Sequence, residues 1–170
     1  HNRVETLVDY DFCLYHIEPI YASMVARTRE SIDNTIDKLF DTFSQKHNYD
    51  EKFMKNRHYY NGWKSNKAWY INSKVIIPLD CYSNTSRTFS VINAHDKLRD
   101  IERVFDYLDN GSTMSEINLE AVLKAADKSN QTRDIQLKYF TITVHKKGTC
   151  HIRFTNPELL KKFNIFGSRR

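Results

Sequence analysis

A stretch that mixes cationic, aromatic and amide side chains is the first candidate binding site. It runs from Arg57 to Lys67 and has no apolar periodicity. Bases stack on aromatic faces with about 1–3 kcal/mol each, and lysine and arginine neutralise phosphates, so the mixture suits a single-stranded or flipped nucleotide. The residues predicted to contact it are Arg57, His58, Tyr60, Asn61, Trp63, Lys64 and Lys67. Alternatively the aromatic residues form a lid over the core, with Trp63 or Trp69 buried, and the lysines stay solvated.

A predicted β-hairpin near residues 138–154 supplies the second candidate surface. Lys146-Lys147-Gly148 reads as its three-residue turn, with Gly148 in the left-handed conformation of a bulge. The resulting register places only apolar residues on one face, namely Phe140, Ile142, Val144, Cys150, Ile152 and Phe154. The same register places the polar residues on the other face, namely Tyr139, Thr141, Thr143, His145, Thr149, His151 and Arg153. A slip by one residue would mix the two faces, so the pattern defines the pairing.

The polar face of this hairpin and its basic turn could hold a phosphate backbone. We predict contacts from Lys146, Lys147, His151 and Arg153. The alternative is an ordinary solvent-exposed strand pair, which also alternates polar and apolar residues.

Catalytic and metal-binding patterns are scarce. His145 and His151 share the hairpin face but are diagonal and lack a third ligand, so they are predicted to be polar surface residues without a metal. The four glycines are too far apart for a phosphate-binding loop, and GxSxG and HExxH are absent. Asp134 with Lys138, plus Asp80, is the one loose arrangement that suggests a metal-dependent nuclease. No cofactor is predicted, and for this segment alone an enzyme is the less favoured interpretation.

Helical periodicity dominates the first part of the chain. Leu7, Tyr10, Leu14 and Ile17 predict an opening helix, and Pro19 then suits the first turn of a second helix that ends near residue 45. The apolar stripe predicted for this second helix comprises Val25, Ile32, Ile36, Leu39, Phe40 and Phe43. Residues 46–66 read as a long loop.

Strands and further helices are predicted in the rest of the chain. Residues 68–79 are β-like, with a turn at Asn72-Ser73, and Pro78 ends the strand or places it at a sheet edge. One helix is predicted to end at Gly111, and another to begin at Asn118 or Ser115. Asn156-Pro157 begins a short helix through Phe163. The predicted fold is α+β, with N-terminal helices packed on a small antiparallel sheet that includes the C-terminal hairpin. A winged-helix-like fold is the alternative.

Composition and charge narrow the class of protein. The 170 residues are 40% hydrophobic and 28% charged, which predicts one globular domain, here expected to be a fragment of a longer chain. No apolar run is long enough to span a bilayer, and three scattered cysteines indicate a reducing, cytoplasmic compartment rather than a disulfide framework. Residues 52–79 contain six basic and no acidic residues, and residues 138–170 contain eight basic residues against Glu158. Since the whole chain carries only +5, the remainder is acidic, and this segregation favours a basic surface for a polyanion.

Most of residues 30–170 also resembles the domain-of-unknown-function family DUF4942 of bacterial mobile elements and prophages. The resemblance rests on Lys38-Leu39-Phe40, His58 to Lys64 with Asn66-Lys67, Val75 to Pro78, Val104 to Asp109, Tyr139-Phe140, Lys146 to Thr149 with His151-Ile152 and Phe154, and Leu159-Leu160 with Phe163 to Ile165. Members of this family commonly lie beside or are fused to adenine-specific DNA methyltransferases. The resemblance implies a DNA-modification or mobile-element setting and an adjacent methyltransferase domain as partner, but no catalytic residues.

Three functions follow as hypotheses. The first is a nucleic-acid-binding accessory or recognition domain, with DNA as the expected target. The second is a metal-dependent nuclease that uses Asp134 and Lys138. The third is a protein-interaction module whose acidic helices form the contact surface.

Overall fold

The computed structural model describes residues 14–44, 66–67, 69–83, 85–113 and 118–169. The predicted contact residues from Arg57 to Lys64, and Cys13, lie outside these ranges. The chain divides into two compact units, residues 1–34 and residues 35–170, and the strands and candidate sites discussed below belong to the second.

Four helices and six strands make up the described structure, with one short 3₁₀ helix. In chain order they are α1 (Leu14–Ser44), β1 (Lys74–Pro78), β2 (Tyr82–Ser83), β3 (Thr88–Phe89), the 3₁₀ helix (Val91–Ala94), α2 (His95–Asn110), α3 (Leu119–Lys128), β4 (Ile135–Gln136), β5 (Phe140–His145), β6 (Thr149–Phe154) and α4 (Pro157–Gly167). The α+β class predicted from the sequence is therefore confirmed. None of the described helices combines the length and the apolar character that crossing a bilayer requires.

Helix α1 is continuous through Pro19, so the predicted break between two helices before this proline is wrong. Proline fixes φ at a helical value and removes one N–H donor, which a position near the helix start tolerates better than an interior one. On the predicted stripe, Ile32, Ile36, Phe40 and Phe43 are buried and Leu39 is half-buried, whereas Val25 is exposed.

Four strands form one antiparallel sheet in the order β1-β6-β5-β4. The hairpin register predicted from the sequence is confirmed pair by pair, from Phe140 opposite Phe154 to His145 opposite Thr149. Gly148 has φ of 74°, as the turn requires. β1 lies at one edge of the sheet, and Pro78, its last residue, is tolerated there because an edge strand leaves N–H groups unpaired.

The winged-helix alternative stays a prediction, because the element order and the pairing of β1 with β6 do not contradict it. The hairpin of β5 and β6 is paired on both of its outer edges, β6 with β1 and β5 with β4. The hairpin forms the centre of the sheet. Its polar face is consequently a surface of four strands rather than two.

The core lies on the apolar face of this sheet, where aromatic side chains from the helices pack. Phe105 of α2 stacks on Phe154, with ring centroids 4.9 Å apart, and on Phe163 of α4 at 5.6 Å. Phe43, from the end of α1, meets Phe154 at 6.0 Å. Burial of each such ring stabilises the fold by about 1.5–3 kcal/mol. Gly167 of α4 packs directly against the Phe40 ring, and a methyl group at this position would overlap that ring.

Three predicted helix boundaries are confirmed in detail. Gly111 ends α2 in the left-handed conformation, with φ of 73°. The side chain of Asn118 caps α3 by accepting the Ala121 N–H. At the start of α4, Asn156 accepts the N–H groups of Glu158 and Leu159, and that helix runs beyond Phe163 to Gly167.

The side chain of Asn164 fixes the chain just before β1. Its Oδ1 accepts the Ile71 N–H at 2.7 Å, and its Nδ2 donates to the Ile71 carbonyl at 2.9 Å. Of the predicted β structure at residues 69–71, the described residues show an isolated bridge of Tyr70 to Lys67, and the strand begins at Lys74. This bidentate contact connects α4 to the chain just before β1 and so helps to position Lys74, the first residue of that strand.

Candidate nucleic-acid interface

Basic residues from two strands meet on the polar face of the sheet. Strand pairing places Lys74 of β1 directly opposite Arg153 of β6, and Arg153 in turn opposite Thr141 of β5. One step along the sheet, His151 lies opposite Thr143. Because side chains alternate across a pleated strand, all of these point to the same side, away from the aromatic core.

A groove of about 310 Å³ runs over this face, and we call it the basic groove. Its lining residues are Lys74, Arg133, Asp134, Thr141, Thr143, His145, His151 and Arg153. Lys74, Arg133 and Arg153 are exposed, and no carboxylate of the described residues forms an ion pair with any of the three.

The turn before β4 brings Arg133 and Asp134 to the groove. Asp134 has φ of 49°, in the left-handed region that aspartate enters more easily than most residues. Its N–H donates to the Thr143 hydroxyl at 3.1 Å, which fastens the turn to β5. Thus one acidic group lies among the basic groups of the groove.

His145 and His151 form a contacting pair inside the groove, with ring centroids 4.3 Å apart. Nε2 of His145 is buried and has no hydrogen-bond partner among the described residues. Burial lowers the pKa of His145, and Arg133 and Lys74 lower it further. Burial also lowers the pKa of His151, assisted by His145 and Lys74. Both rings are therefore neutral at neutral pH unless an anion enters.

Acidification is expected to destabilise the fold through this pair. Both pKa values are below the ordinary 6.5 in the folded protein, so the unfolded chain takes up protons first as the pH falls. Stability contributed by the neutral rings is complete above pH 6.5 and decreases below it. Melting temperatures between pH 7.5 and 5.5 measure this loss, which replacement of both histidines by asparagine should reduce.

His95→Asn is the matched control for that experiment, because this histidine lies on α2 beside Asp96 and outside the groove. The control should retain the wild-type pH dependence. An equal acid-induced loss in the double variant would show that other groups cause it.

The hairpin turn extends the basic surface beyond the groove. Lys146 and Lys147 are exposed, and Nζ of Lys146 lies 5.6 Å from the centroid of the Tyr82 ring. The cation–π contact holds the Lys146 chain against the β2–β3 hairpin while the ammonium stays at the surface.

Several predicted contact residues cannot be placed on this surface. The segment from Arg57 to Lys64 lies outside the described residues. Lys67 is exposed and pairs through its backbone with Tyr70. Trp69 is 67% exposed, so it is not the buried tryptophan of the lid alternative.

Tyr139 does not belong to the polar face, contrary to the prediction. It is 5% exposed and precedes β5, and its hydroxyl lies 2.8 Å from Oδ1 of Asp106 and 3.1 Å from Oδ2 of Asp109. Burial raises its pKa to about 12. Thr149, also assigned to that face, is buried as well, at 7%.

The residues of the nuclease hypothesis have different surroundings in the structure. Lys138 Nζ donates to Oδ1 of Asp106 at 2.6 Å, whereas Asp134 lines the basic groove. Asp80 is exposed after β1. Over the ranges that the structure describes, no three His, Cys, Asp or Glu side chains cluster as metal ligands.

The cysteines that the structure describes fit the predicted core role. Cys81 and Cys150 are buried and unbonded to each other, and burial raises the pKa of each thiol to about 12. A thiol with so high a pKa is a poor nucleophile.

Sequence reasoning missed Lys74, Arg133 and Asp134 as members of the groove. In β1, Lys74 alternates with the buried Val75 and Ile77, so the sequence was sufficient to place its side chain on the face opposite to theirs. The partner strand of β1 could not be predicted, since Lys74 and Arg153 are 79 positions apart in the chain.

Comparison with known proteins gives a family without a described activity. The family model of a domain of unknown function, DUF4942, matches residues 1–170. No curated protein and no solved structure matches the chain.

Proposed function

Because the chain belongs to the DUF4942 family, whose function is unknown, we propose from its own surface that it is a nucleic-acid-binding domain with DNA as target. The basic groove and the turn lysines Lys146 and Lys147 form the contact surface. The setting implied by the family resemblance, a DNA-modification or mobile-element system with an adjacent adenine-specific methyltransferase, is part of this proposal.

One observation carries the proposal: Lys74 and Arg153 are directly opposed on neighbouring strands, and no carboxylate of the described residues forms an ion pair with either. Like charges at opposed positions destabilise a sheet. Arg133 adds a third unpaired cation to the same groove. An anion seated among the three would remove the repulsion, and nucleic acid supplies closely spaced phosphates.

The basic groove and the hairpin turn would make different contacts with the nucleic acid. Threonine hydroxyls and cations in the groove suit phosphate oxygens, since most protein–DNA hydrogen bonds go to phosphate and sugar. The turn lysines would add backbone contacts beyond the groove. Stacking by Tyr60 and Trp63, together with Arg57, His58, Asn61, Lys64 and Lys67, remains part of the proposal for the segment around residue 60.

Fluorescence anisotropy with single- and double-stranded DNA and RNA at several KCl concentrations tests the function. With three to five cations engaged, the logarithm of the association constant should fall with the logarithm of salt by a slope of about 2.7 to 4.5 on duplex DNA. Absence of saturable binding at low salt would overturn the proposal. The same mixtures incubated with Mg²⁺ or Mn²⁺ test the nuclease alternative, which intact DNA and RNA would remove.

A further inference from the structure

The charges that line the basic groove do not match an internal phosphodiester. Lys74, Arg133 and Arg153 contribute three positive charges, and Asp134 contributes one negative charge. With the two histidines neutral, the lining has two positive charges in excess. An internal phosphodiester carries one negative charge, whereas a terminal phosphate carries up to two near pH 7.5.

We propose that the basic groove binds a phosphomonoester dianion, the end of a nucleic acid strand or a free nucleotide, in preference to an internal phosphodiester. This inference deepens the proposed function and rests on it. The turn lysines Lys146 and Lys147 then contact the backbone of the same strand beyond its phosphorylated end.

Size and hydrogen-bonding groups agree with a single phosphate and its sugar. A volume of about 310 Å³ lies at the lower end of small-molecule sites and is far too small for a duplex segment. Thr141 and Thr143 line it, together with His145, whose buried Nε2 has no hydrogen-bond partner among the described residues.

The histidine pair adds sensitivity to the second charge of the ligand. Because the two rings are in contact, protonation of both would place two positive charges side by side and is unfavourable. Protonation of one ring is possible when a bound anion stabilises the single positive charge. The charged groups that face the pair are Lys74, Arg133 and Arg153, which oppose its protonation, and Asp134, which favours it. A dianion neutralises the three cations more fully than a monoanion does, so its binding should draw a proton onto the pair.

The test uses three oligonucleotides of one sequence that carry a 5′-phosphate, a 3′-phosphate or hydroxyls at both ends. At pH 7.5 and fixed ionic strength, we expect at least one phosphorylated strand to bind about tenfold more tightly than the hydroxyl strand, equivalent to about 1.4 kcal/mol. Equal affinity of all three strands, each still sensitive to salt, overturns this inference and leaves the proposed function standing. If none of the strands binds, the proposed function fails and the inference fails with it.

Competition identifies the source of the phosphate. If a nucleoside 5′-monophosphate displaces the phosphorylated strand at low salt, the groove recognises the phosphomonoester group itself, with or without an attached strand. Displacement by a phosphorylated strand alone assigns it to strand ends. Inorganic phosphate at the same ionic strength serves as the minimal probe of the same group.

Proton uptake distinguishes a phosphate site from general attraction to a polyanion. Calorimetric titration at pH 7.5, where the phosphomonoester is already almost wholly dianionic and releases few protons of its own, in two buffers of different ionisation enthalpy should show net proton uptake with the phosphorylated strand. His151→Asn should lower both the uptake and the preference for the phosphorylated end, whereas Arg103→Gln, on the outer side of α2, should alter neither. Unchanged uptake in His151→Asn, in a variant with wild-type melting temperature, would contradict the assignment to the histidine pair.

Discussion

Replacement of Lys74 and Arg153 together by glutamate is expected to weaken nucleic-acid binding about a hundredfold or more at low salt. The two side chains are opposed at the centre of the basic groove, and each hydrogen bond to a charged group contributes about 1.5–3 kcal/mol. The loss of two such bonds is about 3 kcal/mol at the least, and a factor of ten corresponds to 1.4 kcal/mol. Anisotropy titration at constant salt measures the change, and the salt slope should decrease as well.

The fold should tolerate this substitution, since both side chains are exposed and their present opposition is repulsive. Arg103→Glu with Lys161→Glu is the matched control: it changes the net charge equally, on exposed positions of α2 and α4. We expect the control to weaken binding only slightly. Equal losses in the two variants would mean that overall charge, not the groove, attracts nucleic acid.

Local patterns were sufficient to predict the centre of the sheet. Strict alternation between Phe140 and Phe154, with Gly148 in the turn, fixed a register that a one-residue slip would have destroyed. Capping chemistry was equally local at Asn118 and Asn156, whose side chains accept the first N–H groups of their helices. Elements within about 20 residues of one another were therefore readable from side-chain type and spacing.

Errors arose where distant parts of the chain decide the structure. Tyr139 has the parity of the polar face, yet it is buried because Asp106, more than 30 residues earlier, provides a partner for its hydroxyl. Pro19 is a good first residue for a helix, but the helix starts upstream of it. Trp69 is exposed although its type favours burial. None of these outcomes follows from the neighbouring residues.

The basic groove shows the same division between local and distant information. His151 and Arg153 were identified from the hairpin alone, because alternation places both on its polar side. Lys74 and Arg133 joined them only through the pairing of β1 with β6 and of β4 with β5. The site is thus a property of the sheet order, and the hairpin supplies Arg153 alone among the four charged side chains that line the groove.

The buried ion pair of Lys138 with Asp106 gives the largest effect expected on stability. Asp106 is fully buried and Nζ of Lys138 lies 2.6 Å from its Oδ1, while the Lys138 side chain is 22% exposed. Lys138→Met removes the cation and leaves a carboxylate without water, which should lower the free energy of unfolding by about 3–5 kcal/mol. Asp106→Asn should be milder, since the partly exposed ammonium can still reach solvent. Urea denaturation followed by circular dichroism measures both.

Controls for Lys138→Met separate a structural lysine from the catalytic one of the nuclease hypothesis. Lys124 forms an exposed pair with Glu120, so Lys124→Met should leave the unfolding midpoint nearly unchanged. The double variant Asp106→Leu/Lys138→Met should recover part of the lost stability, because apolar side chains replace both charges. Nucleic-acid affinity of the folded Lys138→Met protein should equal that of the wild type, since Lys138 lies outside the basic groove. A Lys138→Met protein no less stable than Lys124→Met would show that the pair contributes nothing to the fold and would return Lys138 to the nuclease hypothesis.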